Sequence, residues 1–282
     1  MSTIKRLLTN SEKMPSIMLG VNHMNEEQIL NSIKSSVDNG FYGFDTAPNY
    51  NSENYLGKAI RKIMKQYKLT REQFFICDKI DNFPLLEAKG HIKQLVENSL
   101  RKLDLEYIDL ILIHWPTPDY FVQAWKELET IYEEKVVKAI GVSNFRIRHL
   151  RHLFNSDIHY VPMVNQIELH PLRTVEDQTA FHREHGIITN SYAPLCRLLP
   201  ALSEAPIIYD ACQKYHKTNA QIILRWHIQN GYIPTFKSSN PTRIRQNQNV
   251  FDFELTQSEM IQISNLNMDF KYHVESVCCP GF

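Results

Sequence analysis

The feature that most constrains the fold of this chain is a regular alternation of short apolar runs with longer amphipathic segments. The apolar runs, such as IDLILIH, are nearly continuous, as is typical of parallel strands that are covered on both faces. In the segments between them, apolar residues recur at helical spacing. The alternation repeats about eight times without a break in composition, which predicts a parallel sheet with a helix after each strand.

Eight repeats in 282 residues favour closure of that sheet into a (β/α)8 barrel. Periodicity alone leaves a doubly wound open sheet as the alternative. The predicted strands are residues 17–21, 43–46, 74–80, 108–114, 139–143, 163–169, 187–193 and 232–237. The predicted helices are 26–38, 53–67, 85–103, 120–134, 146–154, 175–185, a pair within 207–229, and a last one near 258–266. Residues 5–8 and 14–17, on either side of Asn10 and Ser11, predict a hairpin at the barrel bottom. We expect one barrel domain over residues 1–282.

The charge balance and the cysteine content indicate which binding partners and which cellular compartment to expect. Lysine and arginine together equal aspartate and glutamate, so the sequence has no electrostatic footprint for nucleic acid or an anionic membrane. It shows neither a signal peptide nor a membrane-spanning run. The five cysteines lack zinc-ligand or CxxC spacing and predict reduced thiols in the cytoplasm, although Cys278 and Cys279 could oxidise. Nothing demands more than a monomer, and a dimer stays open.

Four reactive side chains stand at the predicted C-terminal ends of three consecutive strands, where barrel enzymes place their active sites. Asp45 and Tyr50 follow the second barrel strand in FDTAPNY, Lys79 ends the third, and His114 ends the fourth in LILIHWP. Each alone would suit a turn, a solvated charge or the core. Together at consecutive strand ends, they indicate a catalytic set.

Reduction of a carbonyl explains this combination of residues. Hydride addition leaves an alkoxide that must be protonated, and Tyr50 can be the general acid. A free tyrosine is a weak donor at neutral pH, so we expect the Lys79 ammonium to lower the pKa of Tyr50. Asp45 would hold that ammonium charged and in place. His114 can donate a hydrogen bond to the carbonyl oxygen and orient it.

Other kinds of site lack their sequence signals. The glycines form neither GxGxxG nor a P-loop, so a bound dinucleotide would not use a Rossmann fingerprint. A metal-dependent barrel hydrolase would need clustered His, Asp or Glu ligands at the strand ends, and the sequence lacks such a cluster there. His182 and His185 share a helix face but have no evident third ligand, and we expect His170 to position its loop.

The motifs DTAPNYNSENYLG, LILIHWP, AIGVSNF, MVNQIELHP, SYAPL and KSSNPTRI stand in the order found in the aldo-keto reductase family, which this sequence resembles from about residue 14 to residue 253. The resemblance implies a (β/α)8 barrel that binds NADPH and reduces aldehydes or ketones. Asp45, Tyr50, Lys79 and His114 match the catalytic positions of the family. Because some relatives act mainly as regulatory subunits, a cofactor-sensing protein with little turnover is the alternative.

The resemblance also implies which residues bind the cofactor. The nicotinamide half would contact Gly20, Asp45, Ser143, Asn144, Gln166 and Tyr192, with the ring of Tyr192 stacked on the nicotinamide. The adenosine half would contact Lys237, Ser238, Arg243 and Asn247, the first three at the 2′-phosphate and the last at the adenine. A lysine and an arginine beside a hydroxyl suit a dianionic phosphate, which favours NADPH over NADH.

Several positions depart from the pattern of the family. They are Asn22 in place of an aromatic residue, Asn51 and Ser52 after Tyr50, Phe236 before Lys237, and Gln246 before Asn247. The loop after the fourth barrel strand is short, so we expect an open pocket bounded by Trp115, Asn22 and the 196–199 loop. The sequence leaves α-keto acids, diketones, diketo sugars, keto-lactones and aromatic aldehydes open as substrates. An open pocket favours carbonyls with an electron-withdrawing neighbour among them.

Overall fold

A computed structural model of the protein describes residues 5–273, so the Cys278 and Cys279 pair lies outside the described residues. Eight parallel strands close into a barrel in the order β10-β3-β4-β5-β6-β7-β8-β9. This closure confirms the predicted barrel and excludes the open sheet. The barrel strands are β3 (Met18–Gly20), β4 (Gly43–Asp45), β5 (Phe75–Ile80), β6 (Leu110–Ile113), β7 (Ile140–Ser143), β8 (Val164–Glu168), β9 (Ile188–Tyr192) and β10 (Ile233–Phe236).

The predicted N-terminal hairpin is also confirmed. Strands β1 (Lys5–Leu7) and β2 (Lys13–Pro15) pair antiparallel, with Arg6 opposite Met14. The turn between them is fixed by Asn10, whose side-chain amide donates to the backbone oxygen of Lys138 at 2.8 Å. Lys138 lies just before β7, so the hairpin covers the N-terminal end of the barrel, opposite the strand ends that carry the reactive residues.

The helices surround the barrel, and in the described part of the chain none combines the length and apolarity that crossing a membrane would require. They are α1 (Glu26–Asp38), α2 (Glu53–Tyr67), α3 (Asn82–Glu87), α4 (Lys93–Leu103), α5 (Phe121–Glu133), α6 (Ile147–Phe154), α7 (Glu176–Glu184), α8 (Pro200–Ser203), α9 (Pro206–Tyr215), α10 (Asn219–Gln229), α11 (Pro241–Gln248) and α12 (Gln257–Ser264). Helices α8 and α11 have no counterpart among the predicted elements. The pair α9 and α10 and the last helix α12 lie where the sequence predicts them.

The prediction of one helix over residues 85–103 is wrong, because the chain turns between α3 and α4. Gly90 has φ +84°, which a right-handed helix cannot accommodate, and its backbone N–H donates to Leu85 at 3.0 Å. Ile92 lies one residue before α4, but its side chain is fully buried. The apolar pattern of the sequence therefore begins before the helix does. Its backbone N–H donates to the carboxylate of Glu127 on α5 at 2.6 Å, which fixes the start of α4.

The strands position the site because they are buried on both faces and cannot shift in register. All six residues of β5 and all four of β6 are buried. The pairing sets Gly20 beside Asp45, and Lys79 beside Leu112. The polar side chains therefore meet at the C-terminal end of a close-packed apolar barrel. Close packing restricts these side chains to few rotamers.

Candidate active site

A buried ion pair joins β4 to β5 at the C-terminal end of the barrel. The Nζ atom of Lys79 lies 2.7 Å from Oδ1 of Asp45 and 2.8 Å from the backbone oxygen of Thr46, and the lysine side chain has no solvent exposure. Burial acts to lower the pKa of Lys79, but its neighbours, with the Asp45 carboxylate foremost, together outweigh burial and raise it. The raised pKa favours the charged ammonium at neutral pH.

Tyr50 lies above this ion pair. It ends a short 3-10 turn, Pro48–Tyr50, that follows β4, and Asn51 closes the turn in the left-handed region. The Lys79 Nζ atom is 5.1 Å from the centroid of the Tyr50 ring. Burial raises the pKa of Tyr50 to about 12, although the Lys79 ammonium acts to lower it. The Lys79 ammonium thus acts in the expected direction, but burial of the phenol outweighs it, so the net change in the pKa of Tyr50 is upward.

His114 follows β6 and faces Tyr50, with ring centroids 6.1 Å apart and the rings nearly perpendicular. Its Nδ1 atom lies 2.5 Å from Oδ1 of Asp81, a buried carboxylate in the loop after β5. The other Asp81 oxygen accepts the backbone N–H of Asn49 at 2.6 Å. Burial lowers the pKa of His114, and the hydrogen bond with Asp81 opposes that effect.

The residues expected around the nicotinamide form one hydrogen-bonded network with the ion pair. Gln166 on β8 donates from Nε2 to Oδ2 of Asp45 at 2.8 Å. The hydroxyl of Ser143 donates to the backbone oxygen of Gln166 at 2.9 Å. Asn144 donates to the backbone oxygen of His114 at 3.0 Å and accepts from the hydroxyl of Tyr192 at 2.8 Å. The structure thus brings together all four of these residues and the catalytic candidates.

Three further predicted residues lie around this network. Gly20 ends β3 beside Asp45, and a Cβ built on Gly20 would lie 3.4 Å from a methyl carbon of Thr235. The ring of Trp115 is nearly parallel to that of His114, with centroids 6.5 Å apart, and is mostly buried. Asn22 lies in the loop after β3 and is half-buried. In the 196–199 loop, the buried Cys196 side chain packs into an apolar cluster.

The residues expected at the adenosine end lie between β10 and α11. Lys237 and Arg243 are exposed, whereas Ser238 and Asn247 are buried. The side chain of Asn240 caps α11 by accepting the backbone N–H of Arg243 at 3.0 Å. Burial and the positive charge of Arg197 lower the pKa of Lys237. Within residues 5–273, Lys237 and Arg243 take part in no ion pair, so this end of the site carries positive charge that no carboxylate neutralises.

Three site residues were not anticipated from the sequence. Asp81 comes two positions after Lys79, and its place just past a strand end is the signal that could have identified it. Asn190 on β9 accepts from Gln166 Nε2 at 2.5 Å and has no signal, because a buried asparagine within a strand resembles any other core residue. Glu168 ends β8 in the quoted IELHP motif and accepts the backbone N–H groups of Tyr272 and His273.

Three other histidines, His170, His182 and His185, have structural contacts, and the Nδ1 atom of His185 lies 2.9 Å from the backbone oxygen of Phe181. The Nδ1 atom of His182 lies 2.8 Å from the hydroxyl of Thr189, and burial lowers the pKa of this histidine to about 3. The Nε2 atom of His170 lies 3.2 Å from Glu168. Among residues 5–273, no cluster of three or more histidine, cysteine, aspartate or glutamate side chains has an arrangement suited to a metal ion.

Comparison with known proteins gives a consistent family assignment. A family model described as "Aldo/keto reductase family" matches residues 16–268. The chain is 40% identical over 270 residues to the uncharacterized oxidoreductase YtbE of Bacillus subtilis (strain 168), covering 95% of this chain and 94% of the relative. It is 37% identical over 262 residues to the methylglyoxal reductase DkgA of Escherichia coli O157:H7, covering 92% of each.

A solved structure agrees at the level of the fold. The crystal structure of the Bombyx mori aldo-keto reductase in complex with NADP superposes with a TM-score of 0.91 at 29% sequence identity, covering 98% of this chain and 97% of that one. The matched residues begin two positions before β3 and end four positions after α12, so the family model spans the whole barrel. By its sequence and its fold, the chain belongs to the aldo/keto reductase family.

Proposed function

We propose that the protein is an NADPH-dependent reductase that converts aldehydes or ketones to alcohols, with Tyr50 as the general acid. The observation that supports this most strongly is the close contact of the Tyr50, Lys79 and Asp45 side chains. A phenol lies above a buried ammonium, and a carboxylate 2.7 Å away holds that ammonium. Outside proton transfer, a barrel has little reason to bury a lysine so completely beside a tyrosine.

The described residues fit a bound NADPH at both ends. At the adenosine end, Lys237 and Arg243 are exposed cations that form no ion pair within residues 5–273, and they lie beside the N-terminus of α11, where an anionic phosphate is favoured. The mutual repulsion of Lys237 and Arg197 would be relieved by such an anion. At the nicotinamide end, Tyr192 offers a partly exposed ring, and Gln166 and Asn144 offer amide groups next to Asp45.

NADPH, when bound, supplies the hydride that adds to the carbonyl carbon. The Tyr50 hydroxyl donates its proton to the carbonyl oxygen, so the product is an alcohol and Tyr50 becomes a tyrosinate. The Lys79 ammonium stabilises that tyrosinate, and Asp45 keeps the ammonium in position. A pKa of about 12 means that Tyr50 keeps its proton until charge develops on the substrate oxygen. His114, whose ring centroid lies 6.1 Å from that of Tyr50, would donate a hydrogen bond to the same oxygen.

The substrate class that we favour is a small carbonyl activated by a second carbonyl. The electron-withdrawing neighbour makes the carbon a better hydride acceptor, and the mostly buried Trp115 leaves only a small apolar wall beside His114. Similarity to a protein named methylglyoxal reductase supports the same choice.

The proposal is tested by following the absorbance of the reduced nicotinamide with purified protein and a panel of carbonyls. The panel should contain methylglyoxal, a diketone, an α-keto acid and an aromatic aldehyde, each tried with NADPH and with NADH. We expect methylglyoxal to be reduced with NADPH and much more slowly with NADH. Tight binding of NADPH without turnover of any carbonyl would instead support the cofactor-sensing alternative.

A further inference from the structure

Asp81 is placed in an unusual way for a residue at the start of a helix. It occupies the N-cap position of α3, where an aspartate side chain normally accepts a backbone N–H of the helix, yet it makes no such bond. Both of its oxygens are committed elsewhere: Oδ1 lies 2.5 Å from Nδ1 of His114, and Oδ2 accepts from the Asn49 backbone at 2.6 Å. The Asp81 carboxylate is thus aimed at the active site.

The bond between Asp81 and His114 fixes what the other ring nitrogen can do. With one extra proton on the pair, Nε2 carries a hydrogen, whether the shared proton is nearer Nδ1 or nearer Oδ1. Without that proton, the remaining hydrogen lies between Nδ1 and the carboxylate, and Nε2 presents a lone pair. A histidine next to a neutral hydrogen-bond donor would behave in the opposite way, because a donor at Nδ1 places the hydrogen on Nε2.

Other charges around the ring do not change this proton count. The Lys79 ammonium and the Asp45 carboxylate neutralise each other at 2.7 Å, and Tyr50 keeps its proton until about pH 12. Burial lowers the pKa of His114, and Asp81 and Asp45 oppose that lowering while Lys79 adds to it. Asp81 is the only carboxylate, among the described residues, that contacts the His114 ring.

We infer that Asp81 is a positioning residue that makes His114 a hydrogen-bond donor to the substrate oxygen only when the Asp81 and His114 pair carries an extra proton. Above the pKa of the pair, Nε2 accepts a hydrogen bond instead, which suits an alcohol hydroxyl better than a carbonyl. Reduction should therefore be favoured at acidic pH and alcohol oxidation at alkaline pH. This inference rests on the proposed function, since it assigns the direction of the hydrogen bond at the same site.

The catalytic test compares pH profiles of kcat/KM for methylglyoxal at saturating NADPH, from about pH 5 to about pH 9. For the wild type we expect a fall of at least about tenfold as pH rises through one ionisation, followed by a plateau because Tyr50 still donates. In Asp81→Asn, the amide donates to Nδ1 and keeps the hydrogen on Nε2, so the profile should stay flat within about twofold. Asp119→Asn, an exposed carboxylate in the loop after β6, controls for the loss of one charge and should keep the wild-type fall.

An independent test uses nitrogen-15 NMR of the histidine rings in the full chain, with His114→Gln to assign the signal. Above the pKa of the pair, we expect neutral His114 of the wild type to carry its hydrogen on Nδ1, and Asp81→Asn to carry it on Nε2. The hydrogen on Nε2 in the wild type would overturn the inference, as would an unchanged fall of kcat/KM in Asp81→Asn. If no carbonyl is reduced, the proposed function fails while the NMR result still decides the role of Asp81.

Discussion

At the scale of single residues, Tyr50 shows how burial and charge compete for one proton. The identity of the general acid and of its lysine could be predicted, because both stand at strand ends where a barrel collects its reactive groups. The net direction of the pKa of Tyr50 could not, since burial is a property of the folded chain and here exceeds the effect of Lys79. The position of Asp81 just past a strand end could have marked it as a candidate, but its contact with His114 could not be predicted, because it depends on how the loop after β5 turns.

Replacing Tyr50 by phenylalanine removes the proposed proton donor while keeping the ring. We expect Tyr50→Phe to lower kcat by at least about 100-fold, the usual contribution of a general acid, and to leave the Kd of NADPH within about threefold of the wild type. Steady-state kinetics and quenching of protein fluorescence by NADPH measure the two quantities. As a matched control, Tyr55→Phe alters a tyrosine on the outer helix α2 and should change neither.

At the scale of elements, most strands and helices follow from apolar periodicity, and the exceptions have local causes. Gly90 sets the break between α3 and α4. The sequence pattern does not show this break, because the buried Ile92 continues the apolar spacing across it. Helix α11 is short and polar and is stabilised by its cap at Asn240, so it has no apolar stripe to reveal it. Periodicity reports burial, and these two elements depend on backbone conformation and capping instead.

Gly90 offers a test of the break between α3 and α4. A Cβ there would lie 3.1 Å from the side chain of Gln123 and from the backbone oxygen of Tyr120, in addition to the strain of φ +84°. We expect Gly90→Ala to lower the free energy of unfolding by about 1–3 kcal/mol, measured by urea denaturation. Gly231→Ala has nearly the same φ, +82°, with nothing within 4 Å, and should be less destabilising. Equal losses in the two variants would show that crowding at Gly90 has no effect.

At the scale of the whole molecule, the barrel closes as its alternation predicts, while the C-terminal segment up to His273 packs at the C-terminal ends of β8 and β9, which the periodicity does not predict. Glu168 at the end of β8 accepts the backbone N–H of His273 at 2.8 Å, across 105 positions of sequence. The ring of His273 lies 5.6 Å from that of Tyr192, the residue expected to stack on the nicotinamide. Contacts this distant in sequence depend on the completed barrel, so they could not be predicted from any local pattern.

Replacing Glu168 by glutamine should loosen this segment. Burial would raise the pKa of Glu168, but hydrogen bonds from His170 and the Tyr272 and His273 backbones lower it overall. The ionised form is therefore the one that holds the segment at neutral pH. Because hydrogen bonds to a charged acceptor contribute about 1.5–3 kcal/mol, we expect hydrogen exchange at residues 272 and 273 to become at least about tenfold faster in Glu168→Gln.

The Glu168→Gln variant also predicts how stability depends on pH. The sign of that dependence follows from the lowered pKa of Glu168. The extra stability of the wild type over Glu168→Gln should be complete above the pKa of an unfolded glutamate, about 4.3, and should disappear as pH falls through the lower folded value. Glu176→Gln, an exposed carboxylate on α7, is the control for both measurements. Unchanged exchange at residues 272 and 273 would show that Glu168 does not hold the segment.

The measurement that tests the central claim most directly follows the hydrogen itself. The protein is incubated with methylglyoxal and NADPH that carries deuterium at the transferable position of the nicotinamide, and the product is analysed by mass spectrometry. We predict an alcohol with one deuterium bonded to the former carbonyl carbon and a hydroxyl proton that exchanges with water. An alcohol without deuterium, or no alcohol from any carbonyl of the panel, would contradict reduction by hydride transfer from NADPH.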